Sequence, residues 1–331
     1  MSQVRDGLGK WIAVNYMKVG RKIWSRLPSW SWQFPPVRWY GIHLHAIVQQ
    51  TQPRDQNHST QFFRNRAELR LLTRLAERKE SGADLDIAVL GCSKGAEVYS
   101  IIGTLRQARP DLSIKVCGVD ISAEILEFAK EGTYSLNGSD HQTARDQRGW
   151  SIFEPVTPIE LGVMFDRQGD QLKVKTWLKE GVRWHCGSVD DPSLPTILGP
   201  QDIVVANRFM CHMQPASAER SLQNVARLVK PGGYLFASGV DLDVRTRVAK
   251  ELGWEPITEM MKEVYEGDRS LSDGWPTQYF AIEPFRVTQR HWTTRYSTAF
   301  RLGLQACVLW VDNTCGELGG VAAQAVMSLS S

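Results

Sequence analysis

The sequence of 331 residues has no apolar run approaching the ~18 consecutive residues of a membrane-spanning helix, which argues against an integral membrane protein. Its six cysteines are scattered singly and form no Cys-x-x-Cys pair, which argues against a zinc knuckle or a thioredoxin-type site. The first ten residues lack the apolar core and cleavage site of a signal peptide. Unpaired cysteines without an export signal predict a protein of the reducing cytoplasm.

Acidic residues are scarce in the first forty positions, where Asp6 is the single acid against seven basic residues and five tryptophans. This arm, residues 1–57, differs in composition from the rest of the chain. We expect it either to contact an anionic membrane surface or a partner, or to pack its indole rings on the main domain. Within it, residues 10–27 are predicted to form a helix that Pro28 ends, and residues 28–60 an irregular linker or docking segment.

Beyond the arm, short apolar strands alternate with amphipathic helices, a pattern typical of a doubly wound parallel sheet. We therefore predict an α/β fold, a Rossmann-like sheet with helices on both faces. Predicted strands are 86–91, 113–120, 202–207 and 234–238, and predicted helices are 64–79, 96–108, 123–130, 216–229 and 244–252. Residues 58–240 would form the catalytic domain, and residues 241–331 a C-terminal extension packed on it. Residues 131–181 would be an inserted or connecting subdomain, with a helix near 158–165 and a hairpin around Gly169.

A binding site is predicted where the first two strands end, because ligands of open α/β sheets bind beyond the carboxyl ends of strands. A glycine-containing loop, Gly91 to Gly95, follows the first strand, and Asp120 closes the second. An acid at that position can accept both hydroxyls of a ribose. The Gly-x-Gly-x-x-Gly fingerprint of nicotinamide dinucleotide sites is not met, because Ser93 stands where the second glycine is required. These features favour S-adenosylmethionine (SAM) over a dinucleotide.

Several segments between His58 and Gly239 resemble the CheR-type SAM-dependent methyltransferases, which esterify glutamate side chains of chemotaxis receptors. The segments are Thr60-Gln-Phe-Phe-Arg64, Cys92-Ser-Lys-Gly-Ala-Glu97-Val-Tyr-Ser100, Val182-Arg-Trp-His-Cys-Gly-Ser188 and Asp202-Ile-Val-Val-Ala-Asn207-Arg208-Phe-Met. The chain departs from that family in several respects. Ala96-Glu97-Val98 stands for Glu-Glu-Pro, Asn207-Arg208 stands for Arg-Asn, and His212 stands for a tyrosine near the methyl group. The arm replaces a helical N-terminal domain, and the segment after Gly239 has no counterpart in the family.

The resemblance implies two groups of site residues. Arg64 and His212 are the candidate catalytic residues. The candidate cofactor-binding residues are Thr60, Arg64, Gly91, Cys92, Gly95, Glu97, Asp120, Ser188, Val189, Asn207 and Arg208.

Two enzymatic functions and one binding function follow from these residues. The first is O-methylation of a carboxylate on a protein or small molecule, steered by Arg64, which needs no base because the acceptor is already ionised. The second is O- or N-methylation of a small metabolite or natural product, with His212 as the base. The third is a non-catalytic sensor or scaffold that binds SAM or S-adenosylhomocysteine. No metal site is expected, because His43 and His45 have no partner at ligand spacing, and no nucleic-acid substrate is expected.

Overall fold

The structure is a computed structural model that describes residues 15–52, 54, 58–136 and 151–303. Its strands are β1 (Asp84–Leu90), β2 (Ser113–Asp120), β3 (Thr133–Ser135), β4 (Phe165–Gln168), β5 (Gln171–Val174), β6 (Val182–Cys186), β7 (Gln201–Val205), β8 (Val229–Phe236), β9 (Glu255–Pro256) and β10 (Ala299–Arg301). Its helices are α1 (15–24), α2 (Pro35–Thr51), α3 (Arg66–Ala76), α4 (Ala96–Ala108), α5 (Ala123–Glu131), α6 (Pro158–Met164), α7 (Thr176–Lys179), α8 (Leu194–Leu198), α9 (Pro215–Ala226), α10 (Leu242–Glu251), α11 (Met261–Glu266), α12 (Arg269–Ser272) and α13 (Trp292–Tyr296), with 3-10 turns at Ser29–Gln33 and Met210–His212.

Seven strands form one sheet in the order β6-β2-β1-β7-β8-β10-β9. The first five of these strands run parallel, and β10 pairs antiparallel with both of its neighbours. Chain order reverses at β1, which lies between β2 and β7 and is almost wholly apolar and buried. The predicted α/β Rossmann-like fold is confirmed, and the carboxyl ends of β1, β2 and β7 meet at the switch point.

A second, antiparallel sheet of order β3-β5-β4 lies within the stretch predicted as a connecting subdomain. The turn between β4 and β5 contains Gly169 at φ 61°, as the predicted hairpin requires. Four rings pack between this sheet and the segment before α3, with centroids 5.0 to 6.4 Å apart: Phe62, Tyr134, Phe153 and Phe165. This aromatic cluster fixes Phe62, and with it the Thr60–Arg64 segment, against the domain.

The prediction of an irregular segment over 28–60 is wrong, because α2 occupies seventeen residues of it. Pro35 and Pro36 stand at the first positions of α2, where proline fits a helix because no backbone N–H partner is needed there. Helices α1 and α2 pack through Trp24 and Leu44 against Trp275 of the C-terminal region. Part of the arm therefore packs its indoles on the main domain, whereas Trp11 lies outside the described residues.

The described residues beyond 240 complete the large sheet with β9 and β10 and cover its edge with α10 to α13. Arg245 is fully buried in α10 and donates hydrogen bonds to the carbonyls of Ala237 (2.7 Å) and Arg295 (2.8 Å). These contacts tie the extension to the end of β8. Among the described residues, no helix combines the length and apolar composition required to cross a membrane.

Candidate active site

A cavity of about 340 Å³ opens where β1, β2 and β7 end. Eleven of the twelve predicted site residues line it: Thr60, Arg64, Gly91, Cys92, Glu97, Asp120, Ser188, Val189, Asn207, Arg208 and His212. Gly95 does not line the cavity. It has φ 81° immediately before α4, and a side chain there would meet Ala129 and Trp184.

The loop after β1 runs close to the cavity because Gly91 has no side chain. Its φ is 63°, and a Cβ atom would lie 2.6 Å from the ring of Phe209. The Cys92 amide donates to the carbonyl of Val119 (3.0 Å), which holds the loop against β2. The absence of a Cβ atom at Gly91 therefore makes room for the Phe209 ring, and both residues line the cavity.

Asp120 lies buried at the end of β2 and its carboxylate is fixed by two backbone amides. Oδ2 accepts from the Ser93 amide (2.8 Å) and Oδ1 from the Ser122 amide (3.1 Å). Each carboxylate oxygen has more than one acceptor site, so both retain capacity for a ligand hydroxyl. This orientation suits the two hydroxyls of a ribose.

Asn207 bridges two buried glutamates at the base of the cavity. Its Nδ2 donates to Glu68 Oε1 (2.7 Å) and to Glu97 Oε1 (2.8 Å), while its Oδ1 accepts from the amide and hydroxyl of Ser238 (2.9 and 2.8 Å). Burial, reinforced by the charge of Glu97, raises the pKa of Glu68 to about 8. Burial likewise raises the pKa of Glu97, against the opposing hydrogen bond from Asn207 and the charge of Arg64.

Arg208 adopts an unusual backbone conformation at the cavity wall. Its φ is 69°, and its guanidinium pairs with Asp268 and contacts Ser270 in the C-terminal region. Gly239 permits this arrangement, because a Cβ atom there would lie 2.7 Å from Arg208 Cα. The C-terminal region thus contributes Asp268 to the site.

The segment carrying Thr60 and Arg64 is fastened to the loop opposite. The Ser93 hydroxyl donates to the His58 carbonyl (2.9 Å), and the Phe63 amide donates to Ser100 Oγ (2.9 Å). Arg64 donates to the carbonyl of Ser59 (3.1 Å). His212 reaches the same cavity from the 3-10 turn after β7.

Glu68, Phe209 and Asp268 also line the cavity and are not among the predicted site residues, although the sequence leaves open whether the acidic segment around Asp268 lines the acceptor side or is an exposed loop. Glu68 lies among the buried apolar residues of α3. Its spacing from them was the signal in the sequence that its side chain faces the interior. Asp268 belongs to a region without a recognisable motif. A cluster of three or more His, Cys, Asp or Glu side chains suited to a metal ion does not occur in the part of the chain that the structure describes.

Fold and site together define a SAM-dependent methyltransferase domain. The cavity lined by the Gly91 turn and the oriented carboxylate of Asp120 fit an adenosyl ligand. A family profile described as "CheR methyltransferase, SAM binding domain" matches residues 58–242, more than half of the chain. The chain therefore belongs to the CheR methyltransferase family.

Similar proteins include the probable biofilm formation methyltransferase WspC of Pseudomonas aeruginosa, 26% identical over 227 residues, which are 65% of this chain and 50% of that protein. The chemotaxis protein methyltransferase of Vibrio parahaemolyticus is 27% identical over 150 residues, 44% of this chain and 49% of that protein. The chain thus spans about half the length of these relatives. Among solved structures, the N-methyltransferase NodS of Bradyrhizobium japonicum with S-adenosylhomocysteine is similar at 13% identity, with a TM-score of 0.33, covering 59% of this chain and 78% of that one.

Proposed function

We propose that this chain transfers the methyl group of SAM to a carboxylate, with residues 58–240 as the catalytic domain. The observation that carries the proposal is that Arg64 lines the same cavity as Asp120 and the Gly91 turn. The family match supports the same chemistry, since relatives are named chemotaxis protein methyltransferases. A carboxylate side chain of a protein is the acceptor class that we favour.

The electrostatics of the cavity support an anionic acceptor. Burial raises the pKa of Glu68 to about 8 and also raises the pKa of Glu97, so the two carboxyls oppose the charge of Arg64 less than two solvated glutamates would. Arg64 lines the same cavity, where its planar guanidinium can attract and orient an acceptor carboxylate.

The residues of this chain supply binding and alignment. Bound SAM supplies an electrophilic methyl group on its sulfonium, which an acceptor oxygen displaces in line. Asp120 and the loop at Gly91 would hold the adenosyl part, and Glu97 and Asn207 would line the methionine side. Alignment of an acceptor that is already ionised supplies much of the rate, so no base is needed.

The test is methyl transfer from SAM carrying a labelled methyl group, with chemoreceptor cytoplasmic fragments and small carboxylic acids as acceptors. A carboxyl methyl ester releases methanol in mild alkali, whereas ethers and N-methyl groups do not. We expect alkali-labile product, and we expect Arg64→Lys to lower the rate about tenfold to a hundredfold, because an ammonium cannot bind the carboxylate in two places. Arg70→Lys, at an exposed position of α3 six residues after Arg64, is the matched control.

His212 keeps the second enzymatic function open, because it lines the cavity close to the expected acceptor side. If the acceptor is a hydroxyl or amine, the product that the wild type forms is stable to alkali. His212→Asn then abolishes transfer while SAM still binds. If the acceptor is a carboxylate, the same variant retains most of its activity. SAM binding without transfer to any acceptor would instead favour the non-catalytic sensor.

A further inference from the structure

The outer surface of the arm is unusually apolar. Among the described residues, twelve large hydrophobic side chains are exposed, and seven of them lie between positions 16 and 42. Trp30 and Trp39 are 68% and 69% exposed, although tryptophan is usually well buried. We call the exposed side chains of this stretch the arm surface: Tyr16, Val19, Ile23, Trp30, Phe34, Trp39 and Ile42.

Two helices build most of this surface and present it on one side. On α1, Tyr16, Val19 and Ile23 follow helical spacing, while Met17 and Trp24 of the inner face are buried in the core. On α2, Trp39 and Ile42 point outward. The ring of His43 joins the two helices, stacked on Trp39 at 5.8 Å and edge-on to Tyr16 at 5.9 Å. Through His43, exposed rings of α1 and α2 therefore lie next to each other on the arm surface.

The charge around the arm surface has one sign. No aspartate or glutamate occurs from position 7 to position 54. Lys18 and Lys22 are exposed on α1, and Arg26 is exposed in the turn that follows it. Arg38 is instead buried against Glu283 (3.3 Å), and its charge is compensated within the fold.

We propose that the arm surface binds an anionic lipid bilayer, with α1 and α2 lying along it. Tryptophan and tyrosine rings occupy the headgroup region of membranes, and basic residues beside an apolar helix face are attracted to anionic lipids. A second copy of this chain would bring like charges together, which disfavours self-association through the same surface. Docking would hold the cavity close to membrane-attached substrates, because Arg54, three residues beyond the end of α2, lines the cavity. This proposal does not depend on the identity of the methyl acceptor.

Co-sedimentation of the full chain with lipid vesicles tests the proposal. One set of vesicles is phosphatidylcholine alone and the other mixes it with phosphatidylglycerol. We expect binding to the mixed vesicles that weakens as ionic strength rises. The variant Trp39→Ser with Ile42→Ser should bind at least about tenfold more weakly, because it removes apolar surface that would enter the interface. Lys18→Glu, Lys22→Glu and Arg26→Glu together should weaken binding by at least about tenfold and abolish its preference for anionic lipid.

Two control variants distinguish binding through the arm surface from non-specific binding of exposed apolar or basic side chains to vesicles. Ile159→Ser removes an apolar side chain that is 79% exposed on α6, and Lys130→Glu with Lys173→Glu and Lys262→Glu reverses three exposed charges elsewhere. Both should bind as the wild type does, and all variants should keep wild-type thermal unfolding. Absence of vesicle binding by the full chain, equal binding to both vesicle types, or unchanged binding by the arm variants overturns the proposal. An arm-dependent complex with an acidic protein, formed without vesicle binding, overturns it as well.

Discussion

Asn207 donates to two buried glutamates, and this arrangement decides the charge of the cavity. The sequence predicts Asn207 and Glu97 in the site because both follow motifs at strand ends. It does not predict Glu68, whose place in the site becomes apparent only when its carboxylate meets Asn207, beyond the end of β7. From the sequence, Glu97 is an acid in the first turn of a helix, and nothing in the sequence indicates a shifted pKa. In the structure, burial of its side chain raises the pKa of Glu97.

Glu68→Gln tests this carboxyl pair. The pKa of Glu68 is raised from 4.5 to about 8, so between these values the native state holds a proton that the unfolded chain has released. The unfolding free energy of the wild type should therefore fall as pH rises through this window, by about 1 kcal/mol per pH unit. Glu68→Gln removes the titrating group and should lose less stability over the same window.

Urea unfolding at a series of pH values gives the comparison. The stability of Glu68→Gln relative to the wild type should increase from about pH 4.5 to about pH 8 and then level off. Glu77→Gln, exposed at the end of the same helix, should show no such trend. A constant difference between Glu68→Gln and the wild type across this range would show that Glu68 is ionised in the native state.

At the scale of elements, the parallel core was predictable and the chain ends were not. The helix over 96–108 and the strand over 113–120 begin and end where the sequence predicts, because apolar spacing and flanking glycines mark them. Helix α2 is not predicted because a segment rich in Pro, Gln and aromatics is typical of irregular structure, whereas Pro35 and Pro36 stand at the start of this helix. Strands β9 and β10 have two and three residues, too few to show alternation.

The turn after β1 gives a prediction with a matched glycine control. Gly91 and Gly82 both have a left-handed φ, 63° and 78°, but a Cβ atom clashes with Phe209 only at Gly91. Gly82→Ala should lower the unfolding free energy by about 1 kcal/mol through backbone strain alone. Gly91→Ala should cost more and should also weaken SAM binding, measured by calorimetry. Equal affinity for SAM in the two variants would contradict a role for this turn in the site.

At the scale of the whole molecule, the arm and the C-terminal region are joined by buried ion pairs. Glu283 Oε1 lies 3.3 Å from Arg38 of α2 and 2.8 Å from Arg295, and it accepts from the Tyr296 hydroxyl at 2.9 Å. Arg295 also pairs with Asp243 (2.7 Å), whose side chain is 86% exposed. Glu283 therefore compensates buried charge from two distant parts of the chain.

Glu283→Gln should lower the unfolding free energy by about 3 kcal/mol, because it leaves Arg38 buried without a counter-charge. Asp243→Asn, which removes an exposed partner of the same Arg295, should cost less than about 1 kcal/mol. Urea unfolding at neutral pH measures both variants. If Glu283→Gln lowers the unfolding free energy no more than Asp243→Asn does, the ion pairs of Glu283 do not hold the arm on the C-terminal region.

The central claim is that the cavity at the switch point binds SAM through Asp120. Isothermal titration calorimetry of the full chain with SAM, S-adenosylhomocysteine and NAD tests it most directly. Both sulfur ligands should bind, NAD should not, and Asp120→Asn should weaken binding at least about tenfold, because it replaces the ribose-accepting carboxylate with an amide. Asp166→Asn, on an exposed strand, should bind as the wild type does. Binding of NAD, or unchanged affinity in a folded Asp120→Asn variant, would contradict the account.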